Sequence, residues 1–501
     1  MLNRRGVMLA AGGVVATGAA LAWPVSMAGR TQTGTGTGTA AAQLGRSRAE
    51  QHIMQIGMVA KASPIQAAAP FSVEMPVPKV ARPVSTRGGT DVYELALQPA
   101  QVEILPGTTT PVLTYGGTFV GPTIKARAGR KVQVKYVNRL DAPVNVHLHG
   151  GHVPPASDGY PMDLFGVGET RTFDYPNEQD GATLWYHDHT HHMEAEHVYR
   201  GMHGFYLIEG EDERLLGLPG GQYDVPIMIR DAHFDAAAGL ILDVEHPEAR
   251  STMLANGRPL PYFPVAARKY RFRLLNSSIH KIFELDLGGV EMVQIASDGG
   301  LLPEPVTRTK LTLAPAERIE IVVDFSRQDI GAKLVLSDAT GPVMRFDVAR
   351  RAADYSRVPA RLRPLPALPA PARTRRLKLA VAPSKMAYAI NDLSWDPDRI
   401  DAVIPNGTTE VWEIHNADTV DSEFGGIDHT FHLHMVQFRV LDRDGKPPLP
   451  GESGFKDTVL VRPGETLRVQ ATFKGWPGKY VYHCHMQEHN VAGMMAQLEI
   501  V

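Results

Sequence analysis

The chain has 501 residues, room for three or four domains, and sets 51 Lys and Arg against 54 Asp and Glu, a balance that argues against nucleic acid as a partner. Its 47 Gly and 38 Pro, with few long apolar stripes at helical spacing, predict an all-β protein of many short strands joined by turns, built as sandwiches or barrels. Cys484 is the single cysteine, so an internal disulfide is excluded, stability must come from packing, and the thiol is kept for other chemistry.

Arg4 and Arg5 precede an apolar, Gly/Ala-rich run from Val7 to Trp23, and a small-X-small site lies at Ser26-Met27-Ala28. Residues 1–28 therefore read as a twin-arginine export signal, which predicts a periplasmic or secreted protein. No later stretch is long and apolar enough to span a membrane, so no stable insertion is expected once the signal is removed. Residues 29–78 read as a flexible segment that begins with the alternating Thr/Gly run Thr31–Thr39. Met54, Met58 and Met75 are scattered along it without a pattern that calls for a metal.

From about Val80 the pattern turns to alternating strands. The stretch Pro122–Asn138 leads to His147-Leu148-His149-Gly150, and a strand from Gly168 to Phe173 precedes Leu184-Trp185-Tyr186-His187-Asp188-His189. The last third repeats this layout: Pro405–Asn416 precedes His429, His432 and His434, and Pro463–Gln470 precedes Tyr482-His483-Cys484-His485. A middle copy is visible without ligands. Arg268–Asn276 matches the strands ending at Asn138 and Asn416, Phe283–Leu287 stands where the others carry His-X-His, and Pro315–Asp324 follows. The expected division is 79–212, 213–358 and 359–501, with the last joint in a Pro-rich run at Pro359, Pro364, Pro366, Pro369 and Pro371. Copies one and three must face each other, since neither alone completes a site; the middle copy is expected as spacer and wall.

The stretch His483–Met494 carries the sharpest signal. One thiolate, imidazoles and a distant thioether, here Cys484, His489 and Met494, are the ligand types of a blue-copper electron-transfer site. Along an extended strand the side chains at i and i+2 share a face and i+1 takes the other. His483 and His485 thus point away from Cys484, free to bind a second metal centre behind it, an arrangement suited to electron relay. The pairs 147/149, 187/189 and 432/434 supply the further histidines such a centre needs.

Together these four motifs, in this order, resemble the three-domain multicopper oxidases of laccase-like type, over about residues 80–501. The resemblance implies three consecutive cupredoxin-like Greek-key domains and four copper ions. It implies a type 1 copper on His429, Cys484 and His489 with Met494 axial, and a type 2 copper on His147 and His432. The type 3 pair would take His149, His187, His189, His434, His483 and His485. These ligands use ten of the twenty histidines. Electrons from a donor would enter at the type 1 copper, and O2 would be reduced to water at the three-copper cluster. Asp158 stands where similar oxidases hold an acid near the cluster, although an Asp before Gly is also a common turn pair. Many bacterial relatives carry a second acid just after the last type 1 histidine. Here that position is Asn490, which leaves Glu488 as the nearest substitute. His152, His191, His192, His197 and His203 are expected to be solvated or structural.

The leading reading is therefore an exported, monomeric oxidase of phenols and aromatic amines. Oxidation of metal ions such as Cu(I) or Mn(II) is the alternative within the class. Against it, no Met-rich insert lies between Arg350 and Asp428, where only Met386 is found. A non-enzymatic copper-binding protein would lack the Cys-centred relay, and a copper nitrite reductase would have two domains.

Overall fold

The computed structural model describes residues 69–382, 387–422 and 425–501; the expected export signal, Met54, Met58 and Met386 lie outside them. Six β-sheets form three pairs in chain order. The first pair joins a sheet in the order Ser85–Arg87, Thr90–Val102, Val132–Asn138, Thr170–Tyr175 to one in the order Gly121–Arg127, His203–Glu209, Ala182–His187, His147–His149. The second pair spans Asp224–Ala232 to Gly341–Arg351, and the third spans Arg373–Ala382 to Met495–Ile500. Each pair encloses its own apolar core, around Tyr136 and Phe173, around Phe272 and Phe346, and around Trp412 and Phe431. Among the described residues, no helix is long and apolar enough to cross a membrane.

The internal repeat holds down to single hydrogen bonds. Val132–Asn138, Lys269–Asn276 and Thr408–Asn416 each pair in parallel with the first long strand of their own domain and antiparallel with the strand after the ligand motif position. Each ends in a buried asparagine. Asn138, Asn276 and Asn416 all turn the amide nitrogen onto carbonyls of a returning loop, and all accept the N–H of the residue two positions on. A buried amide is stable only when its donors and acceptor are met, so this corner fixes where the chain leaves the sheet. The Pro-rich run between Gly341–Arg351 and Arg373–Ala382 contains no strand or helix, as expected for residues that cannot donate to a ladder.

Strand alternation then sorts the ligands. His432 pairs with His483 and Phe431 with Cys484, so Phe431, Leu433 and Cys484 face the core of the third domain while His432 and His483 face out of it. In the first domain Leu148, Leu184 and Tyr186 face the core, and Trp185 sits in an apolar layer against Met228 and Leu275 of the second.

Candidate metal centre

The structure brings the predicted histidines into three buried groups at the meeting of the first and third domains. Ligand-capable atoms of His147, His149 and His432 lie within 4.8 Å of one another, as do those of His149, His187 and His485, and those of His189, His434 and His483. Each group draws residues from both domains. His149 and His432 stack at 3.7 Å, and His147 and His434 at 3.9 Å. His483 and His485 enter different groups, while Cys484 between them faces a fourth group with His429 and His489. There the sulfur lies 3.7 Å from His429 Nδ1 and 3.5 Å from His489 Nδ1. Met494 is wholly buried beside them, its carbonyl accepting the Cys484 N–H at 3.0 Å.

The outward nitrogen of most rings is held by a protein acceptor. His187 Nδ1 donates to the Asp188 carbonyl at 2.7 Å, His432 Nδ1 to the Asp457 carbonyl at 2.9 Å and His483 Nδ1 to the Cys484 carbonyl at 3.0 Å. His434 Nδ1 donates to the Asp158 carboxylate and His429 Nε2 to that of Asp418, both at 2.8 Å. His147 Nδ1 reaches the Asp158 carbonyl, and His149 Nε2 the Asp457 carboxylate at 3.0 Å. The opposite nitrogens of His147, His149, His187 and His432, and both of His485, are buried without a protein partner. Burial pushes the imidazoles of His187 and His483 down to about 3 and about 4, and those of His147, His149, His189, His432, His434, His485 and His489 well below their ordinary value. Neutral rings with one nitrogen tied and a bare lone pair pointing inward are what copper ligation demands, and orphaned buried nitrogens are otherwise costly. The residues present therefore fit copper. At Cys484 burial pushes the thiol up to about 12, with the Thr430 and Met486 N–H groups pulling it back. A thiol so buried ionises only against a bound cation.

The acids divide differently from the sequence expectation. Asp158 is fully buried at the end of the short helix Pro155–Asp158, between His147 and His434, and burial holds its carboxyl well above the usual range. Glu488 is turned away from these histidines. Its oxygens lie 2.6 Å from Arg250 Nη1 and 2.8 Å from His280 Nδ1, both from the second domain. The helix Gln487–Val491 explains this: residues two apart on a helix point to nearly opposite sides, so Glu488 and Asn490 diverge. Asn490 Nδ2 instead donates at 2.6 Å to Glu194, on the helix Glu194–Tyr199. Glu194 is buried, 3.3 Å from His189 Nδ1 and 3.8 Å from His187 Nδ1, its carboxyl pushed well up by burial. Sequence reasoning missed Glu194; the departure at Asn490 was the signal that an acid had to come from elsewhere. It also missed Asp418 and Asp457.

Of the other histidines, His197 lies 3.0 Å from Asp188, His152 Nδ1 donates to the Met435 carbonyl at 3.0 Å, and His191 and His192 pack on each other at 3.7 Å. His203 is buried outside every ligand group.

Three cupredoxin-like sandwiches, with a cysteine–histidine site joined through adjacent residues to an interdomain histidine cluster, are the arrangement of a copper-binding oxidoreductase. The comparisons with known proteins agree. The multicopper oxidase family matches over residues 96–213, 183–333 and 368–501. A laccase of Bacillus stratosphericus is 35% identical over 86% of this chain and 99% of its own length. The bilirubin oxidase of Albifimbria verrucaria is 33% identical over 85% of this chain and 80% of its own. The crystal structure of a laccase from Pediococcus acidilactici superposes with a TM-score of 0.81 at 29% identity, covering 88% of this chain and 96% of that one. The chain belongs to the multicopper oxidase family and is a three-domain, laccase-like copper oxidoreductase with O2 as acceptor.

Proposed function

We propose that the protein is an exported, monomeric oxidase of phenols and aromatic amines that would hold four coppers: type 1 at His429, Cys484, His489 and Met494, type 2 at His147 and His432, and a type 3 pair at the six remaining histidines. The observation that carries this is His483-Cys484-His485, whose three side chains reach three different ligand groups from consecutive positions. When bound, the coppers take electrons singly from the donor and deliver four to O2, yielding two waters.

The protein's part is to position, insulate and supply protons. His489, stacked at 4.2 Å on Tyr388 and edge-on at 5.6 Å to the part-exposed His280, is the route from the donor side. From Cys484 the chain itself is the bridge: one peptide bond leads to each flanking histidine. Asp158 places its carboxyl between His147 and His434, and Glu194 places its own beside His187 and His189, where each can pass a proton toward the cluster. Burial raises both carboxyls well above their usual range, which favours the protonated form, the one that can give a proton to reduced oxygen. Organic donors are favoured over metal ions because two carboxylates beside the type 1 group are already engaged: Asp418 by His429 and the Val381 N–H, Glu488 by Arg250 and His280. Among the described residues no further group of three His, Cys, Asp or Glu ligands stands there.

The test is O2 uptake by copper-loaded protein with a phenolic donor, beside an optical spectrum and a copper count. Intense blue absorption, donor-dependent uptake and no accumulating peroxide are expected. A fully loaded protein without the blue band would overturn the assignment of Cys484. Faster uptake with Cu(I) or Mn(II) than with any phenol or aromatic amine would overturn the donor class.

A further inference from the structure

The second domain bears no ligand, yet one of its side chains reaches beneath the histidine groups. Arg318 opens the strand Arg318–Asp324 and is wholly buried. Its guanidinium touches all three domains. Nε donates to the Thr183 carbonyl of the first at 2.9 Å; Nη1 and Nη2 donate to the Ala316 and Asp298 carbonyls of its own at 3.1 and 3.3 Å. The same two nitrogens grip both carboxylate oxygens of Asp457 in the third, at 2.7 and 2.5 Å.

Asp457 is the acceptor for two ligands that come from opposite domains. Its Oδ1 lies 3.0 Å from His149 Nε2, and its carbonyl lies 2.9 Å from His432 Nδ1. It also accepts the Thr458 hydroxyl at 2.8 Å, whose oxygen is 2.9 Å from His149 Nε2 and 3.1 Å from His432 Nδ1. The ring planes of His149 and His432 lie 13° apart, stacked above this one carboxylate. The neighbouring backbone is shaped to the pair. Gly150 has φ +84°, and a Cβ there would meet Asp457 Oδ2 at 2.6 Å and Arg318 Nη2 at 2.7 Å. A guanidinium fork fixes both the position and the plane of a carboxylate; an ammonium is a point charge and fixes neither.

We propose that Arg318 is a positioning residue for the copper cluster: by locking Asp457 it sets the ring of His149 through the carboxylate and that of His432 through the carbonyl and the Thr458 hydroxyl, so the domain without ligands governs copper occupancy there, and the type 2 copper, with two histidines against three for each type 3 copper, is the first to be lost. The proposal rests on the multicopper reading above.

Arg318→Lys keeps the charge and removes the fork. The expected protein retains its blue absorption and type 1 reduction potential. Its copper content falls from four toward three per chain, the type 2 signal in electron paramagnetic resonance is lost or shifted, and O2 uptake drops by about 10- to 100-fold, the usual effect of removing a group that orients a metal ligand. Arg273→Lys is the comparison. Arg273 is a second buried arginine of the same domain; it reaches the hydroxyl of Thr183 at 2.9 Å and pairs with Asp224 and Glu320, touching no ligand. It should keep four coppers and an unaltered type 2 signal even if it is less stable. An unchanged type 2 signal in Arg318→Lys, or equal copper loss in both variants, would overturn the proposal. Should Arg318→Lys fail to fold, Asp457→Asn carries the same test: type 2 loss supports the role and an intact type 2 signal ends it. A blue band and four coppers in the unsubstituted protein come first, since their absence would sink the multicopper reading instead.

Discussion

The Glu194–Asn490 hydrogen bond shows how a metal site divides between what a sequence announces and what it hides. Copper ligation admits few residue types at tight spacing, so Cys484 and the histidine pairs stood out as letters. A proton donor or an imidazole acceptor is less constrained, because any carboxyl or backbone carbonyl that arrives at the right place will serve. Nothing in the letters distinguishes Glu194, Asp418 or Asp457 among 54 acidic residues. Glu488 was the natural guess from proximity in sequence, and helix geometry turned it to the wrong side. The carboxyls of Asp158 and Glu194 both flank the interdomain histidine groups, meeting at the one that holds His189 and His434, and neither touches the group of Cys484, so their loss should impair the oxygen step and leave electron entry alone. Asp158→Asn and Glu194→Gln should each slow steady-state O2 reduction by about 100-fold or more. Stopped-flow bleaching of the blue band by donor, without O2, should proceed at the unsubstituted rate. Slower bleaching in either variant would place that residue on the electron path instead.

At the level of elements, the strands were readable and the short helices were not. Alternation located the ladders and the faces of Cys484 and its neighbours, and the three asparagine corners follow from a repeat that shows in the letters themselves. The helices Pro155–Asp158, Glu194–Tyr199 and Gln487–Val491 have four to six residues each, too short for a periodic signature, and they carry Asp158, Glu194 and Asn490. The turn after the first of them is the most constrained. Gly159 has φ +84°, and a Cβ there would lie 2.3 Å from the Val146 carbonyl oxygen and 2.7 Å from His147 Cα. Gly159→Ala therefore combines a disfavoured backbone with a backbone clash, in the segment whose Asp158 carbonyl accepts from His147. A loss of about 2 kcal/mol or more in unfolding free energy is expected from these two effects together. Copper analysis should show a depleted cluster with the blue band intact. A fully loaded, equally stable variant would show that the turn relaxes without moving His147.

Across the whole molecule, the repeat told how many domains there are and which two must meet, but the second domain read as a spacer because it lacks ligands. Its contribution is a buried charge lattice: Asp298, Glu317 and Arg318 interlock with Lys456 and Asp457 of the third domain, all of them buried. Long-range pairing of this kind has no local pattern, since each partner is an ordinary charged residue until the fold delivers the other. The first and third domains are joined by something else as well, the cluster whose ligands they share. A ligand present at a thousand times its Kd stabilises the folded state by about 4 kcal/mol, and copper held as proposed would place that energy on the contact between the first and third domains. Removing copper with a chelator should therefore lower the melting temperature and loosen that contact before it touches the cores. In hydrogen exchange, protection should fall in Ala182–His187, His429–Leu433 and Gly478–Cys484, which carry the ligands, while Lys269–Asn276 in the second domain keeps its protection. Equal loss in all four strands would mean that the three domains open as one unit, with the charge lattice rather than copper holding the first and third domains together.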